Sequence, residues 1–234
     1  MPRSSKLPLR VATYNVHRCV GRDRRFDPDR VLGVLSELDA DVLALQELQW
    51  QSSEALHLLD QFAAKLGQQP IPGPTLLRPD GHYGNALLTR LPIANVQLVD
   101  LTVAGHEPRG AIDALLQTSR GVLRVVATHF GLMPSERREQ MRQMLRRLEK
   151  APMHATLLMG DINEWFLWGR PLRWLHRRFG RAPAPATFPA CLPMLALDRI
   201  WIRPQERLRR VAAHASLAAR DASDHLPLLA LIDA

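Results

Sequence analysis

Residues that can bind a metal or transfer protons recur at the predicted ends of β-strands in this sequence. They are Asn15, Glu47, His129, Asp161, Asn163, Asp198, Asp224 and His225. A single Asp in such a position is usually a helix cap or a turn residue. Because loops at strand ends are where a rigid scaffold presents reactive groups, a whole set of acids, amides and imidazoles there is typical of an active site.

The acids and amides of this set suit a hard divalent cation. Glu47, Asp161 and Asp224 offer carboxylate oxygens, and Asn15 and Asn163 offer neutral carbonyl oxygens. Mg²⁺ and Mn²⁺ prefer such oxygen ligands and keep several waters. We therefore expect Mg²⁺ or Mn²⁺ as cofactor. Zinc is disfavoured, because the sequence has no H-E-x-x-H or C-x-x-C spacing.

The basic residues add the groups that could transfer protons to or from a phosphate ester and bind its oxygens. His129 and His225 titrate near neutral pH, so they can donate or accept a proton. Arg109, within EPRGA, presents a planar fork of donors that matches phosphate oxygens. A metal, a histidine with a carboxylate partner and an arginine are the parts needed to attack a phosphate ester with water. The residue types therefore indicate a phosphoester hydrolase.

The hydrophobic pattern sets these residues among alternating strands and helices. Predicted strands cover 9–16, 42–45, 85–89, 96–101, 111–117, 122–129, 156–159, 197–202 and 225–232, and predicted helices cover 28–38, 56–66, 135–150 and 168–179. Strand–helix pairs flank a block of consecutive strands. This order favours an α/β fold of two sheets packed face to face with helices outside, rather than one doubly wound sheet.

Nine short motifs, taken in order, give a specific family resemblance. They are TYN (13–15), LQE (45–47), GNALLTR (84–90), PRGA (108–111), ATHF (127–130), GDIN (160–163), TFP (187–189), LDRIW (197–201) and SDHLP (223–227). The set spans nearly the whole chain and resembles the endonuclease/exonuclease/phosphatase superfamily (deoxyribonuclease I-like), especially a group of short bacterial members. The resemblance implies a four-layer α/β/β/α sandwich of two mixed sheets packed face to face. It also implies one domain over 9–234 after a short N-terminal tail, 1–8.

The resemblance also implies roles around a metal. Glu47 is expected to be the principal metal ligand, assisted by Asn15, and Asp224 is expected to lie beside the metal. Asp161 and Asn163 are expected to orient or activate the attacking water and to hold the phosphate.

Further roles implied by the resemblance concern the phosphate itself. His225 is expected to act on the phosphate or the water, oriented by the carboxylate of Asp198. His129 and Arg109 are expected to contact non-bridging phosphate oxygens, and Asn85 to support His129 at the phosphate-binding side. The general base is left open between His225 and the aspartate of GDIN.

The overall charge bears on the substrate. The chain has 234 residues, a formal charge of +8 and a pI of about 10.6. Such a protein attracts polyanions, although a solvated arginine-rich surface explains the charge equally well. We expect a nuclease acting on nucleic acid. The alternative is a phosphodiesterase or phosphatase for a phospholipid headgroup, an inositol phosphate or another small phosphate ester, with peripheral contact to an anionic membrane.

A non-catalytic module that binds acidic membrane or nucleic acid is a hypothesis from another class. The complete set of metal-binding and histidine residues argues against it, since a degenerate enzyme is expected to lose those residues first.

The expected location follows from what the sequence lacks. The N-terminus is basic but has no apolar segment of a signal peptide, and no run reaches the roughly 18 apolar residues of a membrane span. Two cysteines, Cys19 and Cys191, are too few for a disulfide framework. We therefore expect a soluble cytoplasmic protein.

Two other segments have competing interpretations. CVGRDRR (19–25) formally matches the C-x5-R loop of cysteine phosphatases. Its Asp23 would put negative charge where phosphate binds, so we expect Cys19 to be a packing residue. The stretch 165–181 is rich in Trp and Arg. Its apolar residues share one helical face, which favours a packed helix over a surface that stacks on bases or lies on an anionic membrane.

Overall fold

The structure is a computed structural model that describes residues 8–50, 55–78 and 81–233. Its strands are β1 Leu9–Asn15, β2 Val42–Trp50, β3 Gln69–Arg78, β4 Gly81–Thr89, β5 Ile93–Asp100, β6 Gly110–Thr118, β7 Gly121–His129, β8 Ala155–Asp161, β9 Asp198–Arg203, β10 Leu208–Ala213 and β11 Leu228–Ile232. Its helices are α1 Pro28–Leu38, α2 Ala55–Leu66, α3 Pro134–Lys150, α4 Arg170–Phe179 and α5 Leu217–Ala222. Residues 1–7 of the predicted tail lie outside the described part, and the single domain over 9–234 stays a prediction.

The strands form two mixed sheets. One has six strands in the order β10-β11-β1-β2-β4-β3, and the other has five in the order β5-β6-β7-β8-β9. Each contains one parallel pair, β1 with β2 and β7 with β8, and the other described pairs are antiparallel. A parallel pair needs a crossover connection, and α1 and α3 supply it in the two sheets.

Three apolar layers hold the fold together. Both sheets contribute to the middle layer, for example through Val11 and Leu157. A second layer lies between the six-stranded sheet and α1, α2 and α5, and a third lies between the five-stranded sheet and α3 and α4. The order of layers is α/β/β/α, so the predicted four-layer sandwich is confirmed.

The alternation of side chains along the strands carries the polar residues into the middle layer. In β1, Val11 faces the middle layer and Ala12 faces the helices, so Asn15 faces the middle layer again. In β8, Met159 faces the middle layer, and Asp161 follows it two residues later. The ends of the two strands meet there, because Nδ2 of Asn15 donates to Oδ2 of Asp161 at 3.1 Å.

The structure differs from the sequence-based strands in several places. β4 begins at residue 81 instead of 85, β5 at 93 instead of 96, and β11 at 228 instead of 225. β2 continues to Trp50 instead of ending at residue 45, and β3 and β10 were not predicted. β3 contains Pro70, Pro72 and Pro74, which cannot donate to a neighbouring strand. It lies at the edge of the six-stranded sheet, where proline is tolerated.

The Trp- and Arg-rich stretch is helical over part of its length. α4 buries Leu172, Leu175 and Phe179 against the five-stranded sheet, as expected of a packed helix. Residues 165–168 precede the helix, and their side chains are exposed. In the described ranges, we find no helix that combines the length and the apolar character required to cross a membrane.

Gly33 offers a simple test of α1. It is exposed within the helix, and an added Cβ would have no atom within 4 Å. Gly33→Ala is expected to raise the free energy of unfolding by about 0.5–1 kcal/mol, because glycine loses more backbone entropy than alanine in a helix. Thermal unfolding followed by circular dichroism should show Tm higher by about 1–4 °C. A lower Tm would contradict the open surroundings of this position.

Candidate active site

An irregularity in β2 directs Glu47 into the middle layer. The pairing of β2 with β4 shifts between Leu45 and Leu48, so two residues of β2 face one of β4. Gln46 faces inwards and accepts from the Thr13 hydroxyl at 3.1 Å. Regular alternation would then send Glu47 outwards with Leu45. Instead, Glu47 has a left-handed backbone (φ 55°), and its carboxylate joins the inward-facing polar residues.

Asn15 bridges two carboxylates. Its Nδ2 donates to Oε1 of Glu47 at 3.0 Å and to Oδ2 of Asp161 at 3.1 Å. Its Oδ1 accepts from the backbone N–H of His17 at 3.0 Å, which fixes the orientation of the amide. Asn15 therefore acts here as a donor that holds two acids from different sheets together, and its role as a metal ligand stays a prediction.

His225 is held between two aspartates. Its Nδ1 lies 2.8 Å from Oδ2 of Asp198, and its Nε2 lies 3.7 Å from Oδ2 of Asp161. The hydroxyl of Thr187 also donates to Asp198, at 2.6 Å. The ring of Phe188 packs against the imidazole with a centroid distance of 4.9 Å. The structure thus brings together the predicted His225–Asp198 pair and fixes the plane of the imidazole.

His129 and Asn163 form a second pair beside Asp161. Nδ2 of Asn163 donates to the carbonyl of Phe130 at 2.8 Å and lies 3.0 Å from Nε2 of His129. The backbone N–H of Asn163 donates to Oδ1 of Asp161 at 2.9 Å. Since the amide donates, Nε2 of His129 is the acceptor and the ring carries its proton on Nδ1. Nε2 also lies 3.6 Å from Oδ2 of Asp161.

The two imidazoles have opposite electrostatic surroundings. Burial, together with the charges of Arg109 and His225, lowers the pKa of His129 well below its usual value. Burial also lowers the pKa of His225, but Asp198 and Asp161 outweigh it and raise that pKa to about 10. Burial raises the pKa of the Asp161 carboxyl, against the opposing effect of His225. A neutral and a charged imidazole therefore flank one carboxyl group.

Arg109 lies near His129 but is engaged elsewhere. Its guanidinium donates to the carboxylate of Glu107 at 3.0 and 3.3 Å. Its side chain is buried, and among the described residues its Nε has no hydrogen-bond partner. Asn85 donates to the carbonyl of Gly110 at 3.0 Å. Asn85 thus anchors the start of β6 next to Arg109, and its expected support of His129 stays a prediction.

Asp224 lies at a more exposed position. Its side chain is 41% exposed, and its carboxylate is 3.9 Å from Nδ1 of His17. Ser223, one residue earlier, donates its hydroxyl to the carbonyl of Asn15 at 2.7 Å and accepts from the backbone N–H of His225 at 3.2 Å. This serine ties the loop before β11 to the end of β1, and so places Asp224 at the mouth of the cluster.

The donor set fits a hard divalent cation. Four carboxylates, those of Glu47, Asp161, Asp198 and Asp224, gather with two imidazoles, and the nearby Arg109 is already paired with Glu107. Carboxylate oxygens are the donors that Mg²⁺ and Mn²⁺ prefer. Oxygen and nitrogen atoms of Asp161, Asp198 and His225 lie within 4.8 Å of one another. The side chain of Glu47 is 20% exposed, whereas those of Asp161 and Asp198 are almost fully buried, so Glu47 is the most accessible of these three carboxylates.

Sequence reasoning missed the residues that hold the cluster in place. Thr187, Phe188 and Ser223 occur in the TFP and SDHLP motifs, yet no role was assigned to them. Their motif positions were a usable signal, since Ser223 shares SDHLP with Asp224 and His225, and TFP is itself one of the nine ordered motifs. The contacts themselves depend on the packing of loops and could not be inferred from residue type.

The cysteine-phosphatase alternative does not fit the structure. Cys19 is 1% exposed, and burial raises the pKa of its thiol to about 12. A nucleophilic cysteine needs an accessible thiolate. Cys19 is therefore a packing residue, as expected.

Comparison with known proteins agrees with this architecture. The model of the Endonuclease/Exonuclease/phosphatase family matches residues 12–225. Uncharacterized protein YbhP of Escherichia coli (strain K12) is 28% identical over 257 residues, covering 98% of both chains. A functionally unknown conserved protein from Enterococcus faecalis V583 superposes with a TM-score of 0.79 at 18% identity, covering 95% of this chain and 98% of that one. A mannosyl-6-phosphatase from Bacteroides thetaiotaomicron VPI-5482 gives 0.72 at 18% identity, covering 96% and 99%.

The protein is thus an α/β sandwich of two mixed sheets, and acids and imidazoles gather at one end of it. Since the family model covers nearly all of the chain, the protein belongs to the endonuclease/exonuclease/phosphatase family. Members of this family are in general phosphoester hydrolases.

Proposed function

We propose that this protein is a divalent-metal-dependent hydrolase of phosphodiesters. The observation that carries the proposal is the convergence of Glu47, Asp161 and the His225–Asp198 pair at one end of the middle layer. These residues come from both sheets and are far apart in the chain, and a purely structural role does not require so many buried charges in one place.

The metal would be held by Glu47, with Asp224 as a further candidate. Asn15 would bind it through Oδ1 only after its amide turned and released the N–H of His17. When bound, Mg²⁺ or Mn²⁺ would supply positive charge next to the phosphate oxygens and so favour attack by water.

His129 would contact the non-bridging phosphate oxygens only as the tautomer that carries its proton on Nε2, which would end the 3.0 Å contact from Nδ2 of Asn163. Arg109 would contact these oxygens as well. For Arg109 this requires that the phosphate take over part of the contact with Glu107.

We favour Asp161 as the proton acceptor and His225 as a charged contact to the phosphate. A raised pKa keeps His225 protonated at neutral pH, so it can stabilise negative charge that develops on the phosphate. The raised pKa of the Asp161 carboxyl brings it closer to the operating pH, where a general base works best. Asn163 holds Asp161 through its backbone N–H, at 2.9 Å.

Two substrate classes remain candidates. Nucleic acid is supported by the charge of +8. A phospholipid headgroup is supported by a different observation, a patch of exposed apolar side chains on the loops that follow β7 and β8. These loops lead directly from His129 and Asp161, so a substrate embedded in a lipid surface would be close to the acids and imidazoles.

A metal and substrate panel tests the proposal. Mg²⁺ and Mn²⁺ should each support hydrolysis of a bis-aryl phosphate and of one natural class among single- and double-stranded DNA, RNA, sphingomyelin and phosphatidylinositol phosphates. EDTA should abolish the activity, and added Mg²⁺ should restore it, because carboxylate oxygens bind hard cations. Glu47→Gln should require more metal for half-maximal activity.

Two outcomes would contradict it. Hydrolysis that persists in EDTA would remove the metal from the proposal. Binding to nucleic acid or to membranes without hydrolysis of any member of the panel would favour the non-catalytic module instead.

A further inference from the structure

Six apolar side chains project into solvent from two neighbouring loops. The exposed fractions are 58% for Leu132, 53% for Met133, 37% for Trp165, 43% for Phe166, 69% for Leu167 and 73% for Trp168. We call these six residues the apolar rim. Large exposed apolar patches usually mark a surface that binds a partner or a membrane. The first loop follows His129 of β7 and the second follows Asn163, so the rim borders the acid and imidazole cluster.

A buried arginine holds the two loops of the rim together. Arg137 of α3 is fully buried and pairs with Glu164 at 3.4 Å. Its guanidinium also donates to the carbonyls of Gly131 and Leu132 in the first loop. In the second loop it lies 4.6 Å from the centroid of the Trp165 ring. The rim is therefore a preorganised surface rather than two independent loops.

Positive charge lies along one side of the rim. A surface groove of about 510 Å³ is lined by Trp168 of the rim and by Arg138, Arg170 and Arg173, among others. The acid that lines this groove is Glu164, which is buried and already paired with an arginine. The exposed charge at the groove is thus cationic, and it complements an anionic surface.

We propose that the apolar rim inserts into the interface of an anionic phospholipid bilayer while the arginines of the adjoining groove contact lipid phosphates. An apolar face that contains Trp, Phe and Leu and is flanked by Arg is the composition of segments that lie in the membrane interface. The proposal does not depend on hydrolysis. It goes beyond the proposed function because it assigns a docking surface to the side of the protein next to the cluster.

The shape of the rim favours a bilayer over single-stranded nucleic acid. Leu132, Met133 and Leu167 have no ring to stack on a base, yet all three are more than half exposed. The rings of Phe166 and Trp168 are tilted by 42° at a centroid distance of 5.7 Å. Stacking of successive bases needs free aromatic faces, whereas insertion into lipid needs only apolar area.

Co-sedimentation with sucrose-loaded vesicles tests the proposal on the whole 234-residue chain. Vesicles of phosphatidylglycerol and phosphatidylcholine in equal parts should pellet the protein, and vesicles of phosphatidylcholine alone should pellet much less. Leu167→Ala and Trp168→Ala should each raise the apparent Kd for the anionic vesicles by about tenfold, because each removes apolar area from the inserted face. Arg173→Gln should weaken binding to anionic vesicles, and added salt should weaken it further.

Leu217→Ala is the matched control. Leu217 is 84% exposed on α5, in the helical layer of the other sheet, so its loss should leave vesicle binding unchanged. All the substituted side chains are exposed, and thermal unfolding of each variant should match that of the parent protein.

Three results would overturn the proposal. The first is failure of the parent protein to pellet with anionic vesicles. The second is a loss of vesicle binding in Leu217→Ala as large as that in Leu167→Ala or Trp168→Ala. The third is a Trp168→Ala variant that loses binding to a fluorescent oligothymidylate while its vesicle binding and that of Leu167→Ala stay intact. The last result would assign the rim to nucleic acid. None of these measurements uses activity, so they are independent of the proposed hydrolysis.

Discussion

Asp161→Asn is expected to reduce kcat for phosphodiester hydrolysis by a factor of about 100 to 10,000, the range found when an acid–base group is lost. The substitution keeps the shape of the side chain but removes its ability to accept a proton. It also removes one of the three carboxylates, those of Asp198, Asp161 and Asp224, that keep His225 charged. Steady-state kinetics with a bis-aryl phosphate at saturating Mg²⁺ or Mn²⁺ would measure the loss.

The Asp161→Asn variant should remain folded. Its Oδ1 can still accept from the backbone N–H of Asn163, now at 2.9 Å. Its new NH₂ group would face Nδ2 of Asn15, at the 3.1 Å contact, and this donor–donor contact costs about 1 kcal/mol. Removal of a buried charge that the surroundings already disfavour offsets part of this cost. We therefore expect a decrease in Tm of no more than about 4 °C.

Asp221→Asn provides a matched control for this prediction. Asp221 has a side chain that is 62% exposed and pairs with Arg22 at 3.4 Å, a surface interaction of little energetic value. The activity and Tm of the Asp221→Asn variant should equal those of the parent protein. Full activity of folded Asp161→Asn would remove Asp161 from the mechanism. A loss in Asp221→Asn as large as that in Asp161→Asn would mean that the change of charge, rather than the position, matters.

A double variant, Asp161→Asn with His225→Asn, examines whether the two side chains work as a unit. Asp161 helps to keep His225 charged, and groups that act as a unit give losses that do not add, so the double variant should be about as slow as the slower single variant. Losses that multiply would indicate independent roles for the two residues.

Much of the site could be predicted because strand periodicity is strict. Alternation in β1 and β8 sends Asn15 and Asp161 to the same layer as Val11 and Met159 of those strands. The carboxyl ends of the parallel strands then bring these residues together. The four-layer order followed from strand–helix pairs that flank a block of strands, and the same periodicity fixes which face of each helix is apolar.

Features that depend on a single backbone irregularity could not be predicted. The inward direction of Glu47 requires the irregular pairing between Leu45 and Leu48, and the sequence LQELQ carries no Gly or Pro to signal it. The edge strand β3 was missed for the opposite reason, since its prolines argue against a strand until its edge position is known.

Side-chain partners were also beyond the reach of the sequence. The pairing of Arg109 with Glu107, two residues away, and the amide orientation of Asn15 depend on local geometry rather than on residue type. The ion pair between Arg137 and Glu164, which holds the two loops of the apolar rim together, also depends on local geometry, and no sequence motif marks it.

Gly160→Ala is expected to cause the largest loss of stability of the substitutions considered. Gly160 lies in β8 with φ +147°, and an added Cβ would lie 1.8 Å from the carbonyl oxygen of Thr128. That oxygen belongs to the backbone of the neighbouring strand β7, so relief requires that the two parallel strands separate. We expect the free energy of unfolding to fall by about 3 kcal/mol or more, since strained backbone and overpacking both contribute.

The loss of stability should be coupled to a loss of activity. In the parallel pairing, Gly160 lies opposite Thr128 and Asp161 opposite His129. A displacement that accommodates the methyl group would therefore also separate the carboxyl of Asp161 from the imidazole of His129, now 3.6 Å apart. Because misplacement by about 1 Å can cost a factor of about 100 in rate, residual folded protein should be nearly inactive.

Gly121→Ala separates the effect of the clash from that of the backbone angle. Gly121 also has a positive φ, of +110°, but an added Cβ there would have no atom within 4 Å. It should lose about 1–2 kcal/mol from backbone strain alone, and it should keep its activity. Urea unfolding of both variants gives the comparison. Equal losses of unfolding free energy in the two variants would mean that the clash with Thr128 adds nothing to the backbone strain. The close packing of β7 against β8 beside the acid and imidazole cluster would then be contradicted.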